Sequence, residues 1–188
     1  MFNTKEIIEN CLSSTNSNIE RIKGVFASLS VSQFNWKPAP EKWSVGECID
    51  HLVVTNDLYL TRIKKLLNIS HSNAENDFTY SQSFMGKMIT IAVDPANVKK
   101  AKTFNLFYPE KSVIQKSVID EYIKSSKKFI EQVSKIHHLD LKKIKLSSPV
   151  NFLIRLNLGD PLIIIPKHDE RYLNQAERLM EMEAFPKG

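Results

Sequence analysis

His168 and Tyr172 stand four residues apart in a stretch, Pro166 to Leu179, whose apolar positions Tyr172, Leu173, Ala176 and Leu179 recur at three- and four-residue intervals. On a helix, residues four apart project from the same side, one turn from each other. His51 lies in a second stretch with the same periodicity. A neutral imidazole is a good ligand for a divalent transition metal, and two histidines on facing helices are the simplest way for an α-helical protein to build a metal site. A phenol beside them has two uses: with an ordinary pKa near ~10 it donates a hydrogen bond to an imidazole, and once deprotonated it binds metal itself. Both readings of Tyr172 stay open, and so does the ordinary reading of His51 as a half-buried histidine hydrogen-bonded inside a bundle.

The elements that must position these residues are legible from hydrophobic period and capping signals. From Asn3 to about Ser28 a stripe running through Ile7, Cys11, Ile19, Ile22 and Phe26 predicts a long first helix. Leu29 to Trp43 breaks the period, because Pro38 and Pro40 forbid a helix interior. Its indoles, Trp36 and Trp43, are expected to close one end of the core. Ser44 with Glu47 three residues on is a capping-box pattern that opens a second helix, running to about Asn68, with Glu47, His51 and Thr55 along one line. From Ser70 to Pro109 the period fails, apart from a short helix at Met85 to Val93; connections of that length are uncommon in compact domains. A third helix is expected from about Lys111 to His138. Leu139 to Leu158 is less regular, with a turn at Ser147-Ser148-Pro149. The last helix starts near Asn157, with Asp160 and Pro161 as start signals, and Pro166, two residues before His168, should kink it or mark a restart. Four long amphipathic helices with no convincing alternating strand predict an all-α fold, a four-helix bundle forming a single domain over residues 1–188. The connection between the second and third helices is long enough for a crossover.

Composition narrows the class. A chain of 188 residues supports one domain with a sizeable core. The net charge of +5 comes largely from lysines such as Lys99-Lys100, Lys127-Lys128 and Lys142-Lys143, which alternate with apolar residues as a solvated helix face does. No recognition helix or stacking stripe accompanies them, so no nucleic-acid partner is expected. Five glycines in the whole chain argue against phosphate-cradling folds. Cys11 and Cys48 fall within helical patterns and read as buried free thiols. Neither a secretory signal nor an apolar run approaching ~20 residues is present, which predicts a cytoplasmic protein with no membrane partner. His71, His137 and His138 lie in a polar loop and at a helix end, where no chemistry is expected of them.

The segment Trp43-Ser44-Val45-Gly46-Glu47-Cys48-Ile49-Asp50-His51-Leu52 resembles the W-[ST]-x-x-E-x-x-x-H-[LI] segment of DinB-like (YfiT-like) four-helix-bundle proteins, a superfamily of metal-dependent enzymes. His168, Arg171 and Gln175 are in register with the same family's C-terminal H-x-x-[RH]-H-x-x-Q helix. The resemblance implies a divalent metal, nickel or zinc, bound by three histidines, of which His51 and His168 match two. The third position is Tyr172. It further implies hydrolase or thiol S-transferase chemistry on a small-molecule substrate or thiol, with Glu47, Arg171 and Gln175 contacting substrate or ordering the ligands, and a homodimer. The Tyr172 departure should weaken divalent affinity by orders of magnitude unless Glu47 or Asp169 substitutes. Glu47 is already claimed by the capping box, and Asp169 points about 100° away from His168 on an ideal helix. The alternative is a metal-free bundle of the same family acting as a small-molecule binding or interaction module.

Overall fold

A computed structural model describes residues 2–67, 79–97, 113–149 and 151–187. In chain order the elements are β1 (Phe2–Asn3), α1 (Thr4–Val25), α2 (Val31–Asn35), α3 (Val45–Leu67), β2 (Thr79–Tyr80), α4 (Phe84–Val93), α5 (Val118–Ser134), β3 (Lys145–Ser147), β4 (Arg155–Asn157) and α6 (Asp160–Met180). The fold is all-α in class, and the strands form only two short antiparallel pairs, β1 with β2 and β3 with β4.

Local chemistry starts the helices where polar side chains satisfy their free N–H groups. Asn3 accepts from the Lys5 N–H at the head of α1, and Ser30 and Gln33 form a capping box on α2. At α3 the predicted box is present: the Ser44 N–H donates to Glu47 Oε2 at 2.7 Å, and the Glu47 N–H donates to Ser44 Oγ at 3.1 Å. At the start of α6 the Asp160 carboxylate accepts from the Asn157 N–H, the Ser83 N–H and hydroxyl, and the Tyr80 hydroxyl. One buried side chain thereby ties β2, α4 and β4 to the helix that carries His168.

Four helices make the bundle. α3 packs on α5 and α6, and α1 packs on the same two, so α1 lies diagonally across from α3, while α4 packs outside against α6. The long connection between the second and third long helices therefore joins neighbours, although its length would permit a crossover. The diagonal steps are α1 to α3, through residues 26–44, and α5 to α6, through residues 135–159.

Two apolar clusters fill the interior. One holds Ile7, Tyr59, Ile63, Phe129, Val133 and Leu162, and the other holds Ile22, Phe26, Ile49, Leu52, Tyr122 and Leu173. Between them, halfway along the helices, Thr15, Asn18, Thr55, Asn56, Ser125, Ser126 and Asp169 form a buried polar layer.

Several boundaries differ from the sequence reading. The third long helix begins at Val118, not near Lys111: Ile114 is buried as its period demands, but its backbone is held outside the helix by the Asn35 amide, which accepts from its N–H at 2.7 Å and donates to its carbonyl at 3.0 Å. Within 139–158 the chain forms the β3–β4 hairpin, pairing Leu146 with Leu156, both buried. Strands of three residues are too short for alternation to register. Helix α6 runs continuously through Pro166, whose carbonyl accepts from the Asn18 amide. Of the expected 70–109 connection, β2, α4 and the turn at 94–97 are described; 68–78 and 98–112 lie outside the described residues. No described helix is long and apolar enough to cross a membrane.

Candidate metal centre

The facing sides of α3 and α6 bring the three sequence-predicted residues together. His51 sits two turns into α3, and His168 and Tyr172 sit one turn apart near the middle of α6. The two Nε2 atoms are 3.2 Å apart. The Tyr172 ring lies 4.3 Å from that of His51 and 4.8 Å from that of His168, centroid to centroid. Trp43, the residue before the α3 cap, stacks on Tyr172 at 5.6 Å with 24° between the planes and tilts against His51 at 5.0 Å. Trp43 packs against the core, as expected of it, and its ring is also a wall of this cluster. Its position is set by the capping box, which fixes the angle at which the chain enters α3.

The imidazoles sit in an apolar surround. The His168 side chain is 12% exposed, and burial, with a smaller contribution from the Arg171 charge, lowers its pKa to about 4. It is neutral at physiological pH, as a metal-binding imidazole must be. His51 is buried.

Glu47, Arg171 and Gln175 each have partners of their own. Glu47 is fully committed: one carboxylate oxygen caps α3 and the other accepts from Lys37 Nζ at 2.9 Å. Arg171 donates to the backbone carbonyls of Asp94 and Asn97, and Lys167 pairs with the Asp94 carboxylate, so both cations fasten the turn after α4 onto α6. Gln175 donates to Cys48 Sγ at 3.5 Å. Asp169 turns away from the pair, as helical geometry requires, and accepts from the Tyr122 hydroxyl at 2.6 Å and the Asn56 amide at 3.1 and 3.0 Å. Burial raises its pKa to about 7 against the lowering effect of those donors. His137 and His138 lie together beyond the end of α5, away from the pair in sequence and element. His71 lies outside the described residues.

A family model described as the DinB superfamily matches residues 15–176, which include all of α3 and α5, the second half of α1 and most of α6. The chain belongs to the DinB superfamily. No curated protein and no solved structure matches it.

Whether a DinB-type metal suits these residues turns on the donor atoms. Two nitrogens bound to one ion at about 2.0–2.1 Å with a tetrahedral angle lie about 3.3 Å apart. The 3.2 Å separation of the His51 and His168 nitrogens meets that spacing without rearrangement. Among the described residues no third His, Cys, Asp or Glu joins them, and Tyr172 supplies the remaining donor type. The residues fit a divalent ion through two imidazoles, with the Tyr172 ring packed against both.

Proposed function

We propose that this DinB-superfamily protein is a metal-dependent enzyme of hydrolase or thiol S-transferase type, with nickel or zinc held by His51 and His168 and Tyr172 in the third position. The observation that carries the reading is the 3.2 Å convergence of two imidazole Nε2 atoms from different helices. A divalent ion there would act as a Lewis acid, lowering the pKa of water or a small thiol at neutral pH. The chain's own contributions are separate. His51 and His168 present lone pairs to one point; the Trp43 and Tyr172 rings exclude water from one side of it; Arg171 and Lys167, flanking His168, hold the turn at 94–97 beside it.

The reading is tested by titrating zinc and nickel into tag-free protein and into a His51→Ala, His168→Ala double variant. Binding near one equivalent by the first and none by the second supports it, and equal binding by both overturns it.

The same 3.2 Å contact supports a second reading. An N–H···N hydrogen bond between imidazoles has this length. With Tyr172 in place of an imidazole, a metal-free bundle that binds a small molecule or a partner is the alternative, and it predicts no tight metal in either protein.

A further inference from the structure

We propose that Asp169, anchored by Tyr122 and Asn56, is a positioning residue that keeps the proton of His168 on Nδ1 and so presents the Nε2 lone pair toward His51. Three observations bear on it. First, His168 Nδ1 is buried without a hydrogen-bond partner, an uncommon and costly condition for a polar atom that demands an explanation. Second, the nearest acid is the Asp169 carboxylate, with Oδ1 at 3.9 Å. That is beyond direct hydrogen-bond length, yet in a buried setting it decides the tautomer. A lone pair on Nδ1 facing a carboxylate is repelled by it, whereas an N–H is attracted. Third, Asp169 cannot turn elsewhere without losing three hydrogen bonds, so its carboxyl group stays where it is.

The surrounding layer strengthens the case. Thr55 Oγ1, Asn56 Oδ1 and Ser126 Oγ are also buried without partners, and they belong to the same polar layer as Asp169. The Asp169 carboxylate is the charged member of that layer, and it is the one beside His168 Nδ1. Neighbouring carboxylates orient metal-binding histidines in this way, fixing the tautomer and raising ligand basicity. In the metal-free protein the arrangement makes His51 the Nε2–H donor and His168 the acceptor across the 3.2 Å contact.

The effect on metal rests on the function proposed above, but the tautomer does not, and the experiment separates them. Nitrogen-15 long-range correlation spectra of metal-free protein at about pH 8 report which ring nitrogen of His168 carries the proton. The expected result is the Nδ1–H form in the wild type and in Tyr122→Phe, which keeps the carboxylate, with a shift toward Nε2–H in Asp169→Asn. An Nε2–H form in the wild type, or an unchanged tautomer in folded Asp169→Asn, overturns the proposal. Should Asp169→Asn fail to fold, the wild-type and Tyr122→Phe spectra still decide it: Nε2–H in either is fatal. Where the wild type binds zinc, Asp169→Asn should lose about 10–100-fold in affinity. Absence of zinc binding in the wild type overturns the metal reading and leaves the tautomer result standing.

Discussion

The Nε2 atoms of His51 and His168 face each other at 3.2 Å between α3 and α6, with the Tyr172 ring packed against both imidazoles. A pair of nitrogens at this distance is prepared for an ion, but two imidazoles alone hold zinc or nickel less firmly than three. Tyr172→His restores the third imidazole on the correct face of α6, one turn from His168. The variant should bind zinc and nickel at least about tenfold more tightly than the wild type in a competition titration with a chromophoric chelator. Equal affinities would mean that the phenol already serves as a ligand, and Tyr172→Phe should then lower affinity.

The acid behaviour of the protein should reflect two opposed groups next to each other on α6. His168 is held at about 4, below its ordinary 6.5, so the unfolded chain takes up a proton there that the folded chain does not, and stability falls as pH drops from about 6.5 to 4 by roughly 3 kcal/mol in all. Asp169 is raised from 3.8 to about 7, so the folded chain holds the extra proton, and stability rises as pH drops through the same window. Urea midpoints across the window should therefore be flatter for the wild type than for either single variant. Asp169→Asn should lose stability on acidification and His168→Asn should gain it. Parallel profiles in all three would contradict both assignments.

What the sequence made legible follows from the range over which each signal acts. The capping box at Ser44 and Glu47, the short helix near 84–93 and the common face of His168 and Tyr172 depend on residues three or four apart, and all are present as read. The meeting of His51 with His168 was inferred from the family motif, since nothing local joins residues 117 positions apart. Trp43 packs on the core as its sequence context suggests, but its contact with His51 and Tyr172 has no local signature, because an indole before a helix looks alike whether or not a histidine faces it. The role of Arg171 was obscured for a related reason: its partners are backbone carbonyls of the 94–97 turn, and a carbonyl has no sequence signature. The diagonal order of the helices is likewise invisible to periodicity, which tells a helix which face to bury but not against what.

Two glycines in helices should respond in opposite directions to the same substitution. At Gly86 a Cβ would stand 2.2 Å from the Asp160 carboxyl carbon, and that carboxylate cannot withdraw because it also accepts from Tyr80, Ser83 and Asn157. Gly86→Ala should cost about 1–3 kcal/mol by forcing α4 away from the head of α6. At Gly24 nothing lies within 4 Å, so Gly24→Ala should stabilise by up to about 1 kcal/mol through helix propensity and the unfolded state. Thermal or urea denaturation reads both, and a neutral Gly86→Ala would show that α4 is not bolted to Asp160 as described.

Glu47 offers the sharpest separation of stability from metal binding. It lies one turn before His51 on α3, where a carboxylate could replace the missing imidazole, yet both of its oxygens are occupied, by the Ser44 N–H and by Lys37. Glu47→Gln keeps a side chain able to complete the capping box and loses only the partly buried ion pair, whose Lys37 partner is 29% exposed. It should cost less than about 1 kcal/mol. Glu47→Ala leaves the buried Ser44 N–H without an acceptor and should cost about 1–3 kcal/mol. Zinc affinity of both folded variants should stay within about threefold of the wild type, because a group withdrawn into a cap donates nothing to the ion. A loss of ten- to a hundredfold in Glu47→Gln, measured by the same competition titration, would instead mean that the carboxylate leaves the cap when metal arrives. The capping box would then be the resting state of a ligand.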